Sequence, residues 1–269
     1  MYKLSLAILL IILFYSYLLK KNNKEYFENK YDLFNIFNKC FVINLKETKE
    51  GKRRLKVLKK HSILNKYFEI FPAIYGKTYN YKTEIKNNIV TKSWDYGSWL
   101  HKKSKTVDMT DGEIGVALSH FGIWKKIVKE KIPVTLVLED DAIDMHPDFE
   151  MLVTTFYNHL PNDWDIFLLG FWMNRGIMGK QINKYIFKVK DFVLLHSYMI
   201  TYEGAKKLLS LLPIDMPVDS WISSKSNLIN IYRHNHVKNK KTKRVASSLI
   251  KQKRDAKQIV NTNNFYVGN

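Results

Sequence analysis

Between Asp111 and Asp144 the chain reads DGEIGVALSHFGIWKKIVKEKIPVTLVLEDDAID. Ile114, Leu118, Phe121 and Ile127-Val128 recur near helical spacing, which predicts an amphipathic helix over Glu113–Glu130. Pro133 separates it from Val134–Leu138, a run that suits a strand buried on both faces of a parallel sheet. The run stops on three carboxylates, Glu139, Asp140 and Asp141. In open α/β sheets ligands bind beyond the carboxyl ends of the strands. Acidic groups at such an end can hold a divalent cation through oxygen ligands, and the cation can hold a diphosphate.

The rest of the chain repeats the alternation. Strands are predicted at Phe41–Leu45, Tyr67–Ala73, Asp165–Phe171, Tyr185–Val193 and His196–Thr201. Helices are predicted at Lys49–His61, Pro147–His159 and Glu203–Leu212, with a further turn over Pro217–Ser224. Tyr79–Val107 has no clear period, and loops of that length are commonly functional, so it reads as a flap over the site. Strands alternating with helices point to an α/β layer fold with a mostly parallel sheet. With 269 residues, 46% of them hydrophobic, the chain has ample material for one large domain with appendages.

The formal charge of +19 is gathered in blocks at Lys49–Lys60, His101–Lys105 and Lys238–Lys257. Such blocks mark solvated faces, or surfaces that attract anions such as nucleotide sugars. No Cys/His finger or aromatic RNA-binding motif accompanies them, so no specific nucleic-acid partner is expected. Cys40 is the single cysteine, which excludes an intramolecular disulfide and a cysteine-based zinc site. It borders an apolar strand and reads as a packing residue.

Leu4–Leu19 carries no charge and is flanked by Lys3, Lys20 and Lys21. As a helix it would span roughly 24 Å, a little short of a hydrocarbon core of about 30 Å, with Tyr15, Tyr17 and the lysines as interfacial anchors. The expectation is an uncleaved transmembrane signal anchor at 1–20, a stem at 21–38, a catalytic or binding domain at 39–237 and a basic tail at 238–269. The chain would then be a single-pass membrane protein, with residues 4–19 meeting the bilayer and its side of the membrane open.

Five blocks, in order, resemble glycosyltransferase family 25, which includes lipooligosaccharide and collagen galactosyltransferases. They are Phe41–Leu45 followed by Arg53-Arg54, Phe71–Gly76, Gly112–Gly115 through Ser119-His120, Leu138–Asp141, and Ser197–Thr201 through Gly204–Leu209 to Pro217-Val218-Asp219. The match covers roughly Phe41 to Ile222. Val116 stands where many members carry a Cys or a small residue, and Asn230–Lys240 matches poorly. The resemblance implies a GT-A-like nucleotide-binding sandwich. It also implies transfer of a hexose, galactose or glucose, from a UDP-sugar to a glycan, glycolipid or glycoprotein acceptor, with Mn²⁺ or Mg²⁺ and inversion. The alternative is a degenerate, membrane-anchored binding protein of the same fold.

The resemblance also suggests roles. Asp140 and Asp141 are the candidates for the metal, and Asn44, Arg54, Gly76, Ser119, His120 and Glu139 for the donor nucleotide. Asp219 is the candidate general base, with Glu113 the other contender; a helix-capping role competes for Asp219. If the strand continued past Leu138, Glu139 and Asp141 would share one face and Asp140 the other. Trp94, Trp99 and Trp172 are candidates for stacking on sugar or base, and His234 or His236 for completing a metal shell.

Overall fold

The structure, a computed structural model, describes residues 13–18, 32–60, 67–99, 103–142, 144–173, 179–239, 245–247 and 249–251. Its centre is a ten-stranded sheet. The strands are β1 (Lys39–Asn44), β2 (Phe68–Pro72), β3 (Ser93–Asp95), β4 (Thr106–Asp108), β5 (Val134–Glu139), β6 (Asp144–Met145), β7 (Ile166–Met173), β8 (Lys180–Gln181), β9 (Ile186–Lys188), β10 (Val193–Thr201), β11 (Ile231–His234), β12 (Val237–Asn239), β13 (Val245–Ser247) and β14 (Ile250–Lys251). The main path through the sheet runs β2-β1-β5-β10-β7-β11-β9-β8, with β13 also on β7 and β12 on β13. The main helices are α1 (Lys49–Leu58), α2 (Asp111–Glu130), α3 (Phe149–Tyr157), α4 (Tyr202–Ser210) and α5 (Val218–Ser224).

The sheet is mixed, which corrects the expectation of a mostly parallel one. β1 pairs parallel with β2 and β5, and β7 with β11. β10 lies antiparallel between β5 and β7. Strand direction is invisible to periodicity, because a doubly buried strand reads the same either way. The reversal has a consequence for the site. The start of β10, not its end, lies beside the carboxyl end of β5, where Ser197 is opposite Leu138.

Alternate residues of the central strands face two cores. Phe41, Ile43, Val137, Ile166, Leu168 and Tyr198 join Ile114, Leu118 and Trp124 of α2, Leu208 of α4 and Trp221 of α5. Cys40, Val42, Leu136, Leu138, Phe167 and Met199 join Leu58 of α1 and Phe149, Val153 and Phe156 of α3. Period-two alternation with both sets apolar is why these strands read as continuous hydrophobic runs. Burial pushes the Cys40 thiol pKa up, as befits a packing residue.

α2 is bounded by local chemistry. Thr110 caps it, and Glu113 returns a carboxylate to the Thr110 amide in a capping box. Lys131 ends it in the left-handed region at φ +53°. Around the core, Leu33 and Phe37 are buried on the sheet beside Tyr67. β13 returns from the basic segment to pair with β7. The Tyr79–Val107 stretch contains the β3–β4 hairpin and is held to the core by Val90 and Trp94.

The transmembrane expectation is not supported, and with it fall the single-pass membrane location and the bilayer contact at residues 4–19. Among the described residues no helix is long and apolar enough to cross a membrane. Of Leu4–Leu19, residues 13–18 are described and helical. The remainder of the stretch lies outside the described residues, as do 252–269 of the basic tail.

Candidate active site

The parallel pair β1–β5 brings two strand ends to one edge, with Ile43 opposite Glu139. Strand parity aims Asn44 toward α1, on the side of Val42, and Asp140, the first residue past β5, meets it there. Asn44 Nδ2 donates to Asp140 Oδ2 at 2.7 Å and to the Gly51 carbonyl at 2.9 Å. From α1, Arg54 Nη1 donates to Asp140 Oδ1 at 2.7 Å, and its Nε donates to Glu50 Oε1 at 2.8 Å. β5 ends at Glu139, so parity lapses in the following turn, and Arg54 Nη1 also stands 4.0 Å from Asp141 Oδ2.

This corner is nearly dry. Side chains of Arg54 and Asp140 are only 12% and 11% exposed. Burial raises the Asp140 carboxyl pKa, Arg54 and Asn44 pull against that rise, and the Glu139 charge adds to it. Burial acts to lower the Arg54 pKa, but Asp140, Asp141 and Glu50 more than offset it, and the guanidinium is held charged. Glu50, gripped chiefly by Arg53 and then by Arg54, is drawn down to about 2. The Glu50–Arg54 pair is an i,i+4 helix pair, and its service to Asp140 depends on the tertiary structure.

Glu139 faces the other way, toward α2, where His120 Nε2 lies 3.5 Å from its Oε1. His120 is fully buried, with Nδ1 2.9 Å from the Tyr198 hydroxyl. Asp219, at the start of α5, comes to the same edge because β10 is reversed. Its Oδ2 accepts the Leu194 amide at 2.9 Å and its Oδ1 the Ser220 amide at 2.7 Å. Leu194 sits at φ +66°, inside the register shift of β10, so Asp219 pins a backbone conformation that disfavours side chains. Burial raises the Asp219 pKa, the two amides oppose the rise, and the Glu139 charge adds to it.

Other candidates have local tasks. Ser119 Oγ accepts the Ile74 amide at 2.9 Å and donates to the Gly115 carbonyl at 2.7 Å, tying α2 to the loop after β2. In that loop Gly76 lies against α2 so closely that a Cβ would stand 1.6 Å from the Asp111 carbonyl oxygen. Glu113 is engaged in the capping box. Trp172 is half-buried at the end of β7, Trp94 packs in the core, and the Trp99 side chain lies outside the described residues. His234 is buried among Phe156, Phe167 and Phe171. His236 lies against His146. Tyr198 and Trp124 were not singled out from the sequence, because each reads as an apolar core residue.

Among the described residues no three His, Cys, Asp or Glu groups gather as a metal cage. Asp140 is engaged by Asn44 and Arg54, and Glu139 and Asp141 flank it at the end of β5. Two carboxylates fit an ion of the Mg²⁺ kind, which keeps waters and takes further oxygens from substrate phosphates.

The family model described as "Glycosyltransferase family 25 (LPS biosynthesis protein)" matches residues 37–222. The chain is 29% identical over 197 residues to procollagen galactosyltransferase 1-A of Xenopus laevis, across 69% of this chain and 30% of that protein. It is 34% identical over 191 residues to a glycosyltransferase 25 family member of Anopheles gambiae, across 68% of this chain and 30% of that one. The match thus spans about a third of the length of these relatives. A match of 37–222 takes in the whole acidic edge, from Asn44 to Asp219, and the chain belongs to glycosyltransferase family 25.

Proposed function

We propose that this chain transfers a hexose from a UDP-sugar to a hydroxyl of a glycan or glycoprotein acceptor, with inversion. The observation that carries the reading is the convergence of Asn44, Arg54, Asp140 and Asp141 beyond two parallel strand ends, with Glu139 and Asp219 alongside. Galactose is the favoured sugar, because relatives at 28–29% identity carry the name procollagen galactosyltransferase.

In this reading Asp140 holds Arg54 at the rim of the site, where a guanidinium suits a diphosphate. Glu139 and Asp141 would hold Mn²⁺ or Mg²⁺ together with the donor; when bound, the ion supplies positive charge to the departing UDP. Asp219 takes the proton of the attacking hydroxyl. Its carboxyl is raised by burial, which favours a base, and its amide bonds hold it in place. Its burial beside Glu139 favours Asp219 over Glu113, which sits in the capping box of α2.

The test is UDP release from UDP-galactose and UDP-glucose with Mn²⁺, over a panel of acceptors. Release that EDTA abolishes and that Asp141→Asn reduces at least a hundredfold, in a protein that still melts cooperatively, supports the reading. Full release in EDTA would remove the metal. Asp219→Asn should lower kcat more than it raises donor KM; the reverse would make Asp219 a binding residue.

A further inference from the structure

Behind Glu139 lies a chain of polar groups in a fully buried setting. Trp124 Nε1 donates to the Tyr198 hydroxyl at 3.1 Å. His120 Nδ1 is 2.9 Å from the same hydroxyl, and His120 Nε2 is 3.5 Å from Glu139 Oε1. Trp124, Tyr198 and His120 are each within 1% of complete burial. Indole N–H can only donate, so the phenol oxygen accepts that hydrogen bond and has its own O–H to give. Burial, with the Glu139 charge adding to it, pushes the Tyr198 pKa up, so the phenol keeps its hydrogen. Among the described residues, the acceptor within reach of it is His120 Nδ1.

That fixes the ring. If Nδ1 accepts from Tyr198, the neutral imidazole carries its hydrogen on Nε2. The remaining tautomer, Nδ1–H, would direct two donors at the phenol oxygen and leave the phenol hydrogen without an acceptor in a dry pocket, at a real cost. In the favoured form an N–H points at Glu139. The same logic sets the tautomer of metal-ligating and catalytic histidines through the bond made by the other ring nitrogen.

We propose that His120 is a positioning residue for Glu139. Trp124 and Tyr198 orient the ring, and its Nε2–H holds the Glu139 carboxylate at the edge of the site where the donor is to bind. At 3.5 Å His120 Nε2 stands near Glu139 without a hydrogen bond among the described residues; contacts that are long in unliganded sites commonly tighten with substrate. The role rests on the transferase reading for its consequence in turnover, but not for its geometry. It explains why a histidine sits on the buried face of α2 at the one turn level with the end of β5, and why its neighbours there are a tyrosine and a tryptophan with polar atoms.

The test has two independent arms. In unliganded, isotope-labelled full-length protein, long-range proton–nitrogen spectra report which His120 nitrogen carries the hydrogen. An Nε2-protonated ring whose Nε2 signal moves on Glu139→Gln, and which loses its single tautomer on Tyr198→Phe, is the expected result. An Nδ1–H tautomer, or an Nε2 signal indifferent to Glu139→Gln, overturns the proposal whether or not the protein is a transferase.

In the second arm, His120→Leu should lower kcat about tenfold, the scale of one hydrogen bond to a charged group. His120→Gln, which keeps an N–H donor, should recover most of it. In a Glu139→Gln background His120→Leu should have little further effect, because the partner is already gone. Full additivity would overturn the proposal. If His120→Leu fails to fold, Tyr198→Phe replaces it, with the same coupling to Glu139→Gln required. Absence of any UDP release in the wild type would sink the transferase reading and leave the spectra to decide this one.

Discussion

Replacing Arg54 with methionine would remove the cation from a nearly dry corner while keeping an unbranched side chain of similar reach. Asp140 would retain the Asn44 amide at 2.7 Å but lose the guanidinium at 2.7 Å. Breaking a buried pair by removing one partner costs roughly 3–5 kcal/mol, mostly because a charge is left uncompensated. The surviving Asn44 bond and the 11–12% residual exposure of the pair place this case near the lower bound. The expected loss is about 3 kcal/mol, or roughly 150-fold in the folding equilibrium. Urea unfolding followed by tryptophan fluorescence at pH 7 measures it.

Two controls separate charge from packing. Asp140→Asn in the Arg54→Met background removes the stranded charge and should return about 2 kcal/mol. Acidification should do the same without a mutation. Burial already raises the Asp140 pKa, and losing Arg54 raises it further. Between the unfolded and folded pKa values the native state then binds more protons than the unfolded state, so stability falls as pH rises through that window. The penalty of Arg54→Met should therefore shrink as pH is lowered from 7. A loss under about 1 kcal/mol, or a penalty that neither control reduces, would refute the reading that Arg54 compensates the buried Asp140 charge.

Other consequences follow from the same geometry. Gly76→Ala places a methyl 1.6 Å from the Asp111 carbonyl oxygen; as both groups are backbone-bound, the loss should exceed about 3 kcal/mol, and a melting temperature within a few degrees of wild type would contradict the close approach. Burial draws the His234 pKa down to about 3, so below about pH 6.5 the unfolded chain takes up a proton that the folded one refuses. Stability should fall with pH through that window by up to about 1.4 kcal/mol per unit. His234→Phe, among three phenylalanines, should flatten that slope in urea titrations between pH 4.5 and 7 at the cost of the 3.2 Å bond to the Leu169 carbonyl; an unchanged slope would mean His234 does not titrate with folding.

Some of the site was legible because it is local. Thr110 and Glu113 stand at capping-box spacing, the apolar positions of α2 repeat near 3.6, and Val134–Leu138 ends on acid; each depends on residues within a turn or a strand of one another. The order of the five family blocks likewise needed only the linear chain. The anchor at Leu4–Leu19 was inferred from length and apolarity alone, and the described residues contain no helix that meets the requirement.

What lies across the sheet was not legible. Asn44 and Asp140 are 96 positions apart and meet only because β1 and β5 run parallel in a given register. Asp219 reaches the same edge because β10 is reversed, a fact that hydrophobic alternation cannot carry. Tyr198 and Trp124 looked like core, and they are; their polar atoms acquire meaning only where burial removes water as a partner and makes each donor seek an acceptor. The chain's own pattern thus determined the central strands β1, β2, β5, β7 and β10, the helices α1 to α5 and which strand ends in carboxylates, while Tyr185–Val193 is strand chiefly over Ile186–Lys188. Only the tertiary structure decided which of those carboxylates is neutralised, which is left facing a histidine, and which restrains the backbone, because pairing between distant polar groups depends on strand direction, register and the absence of water.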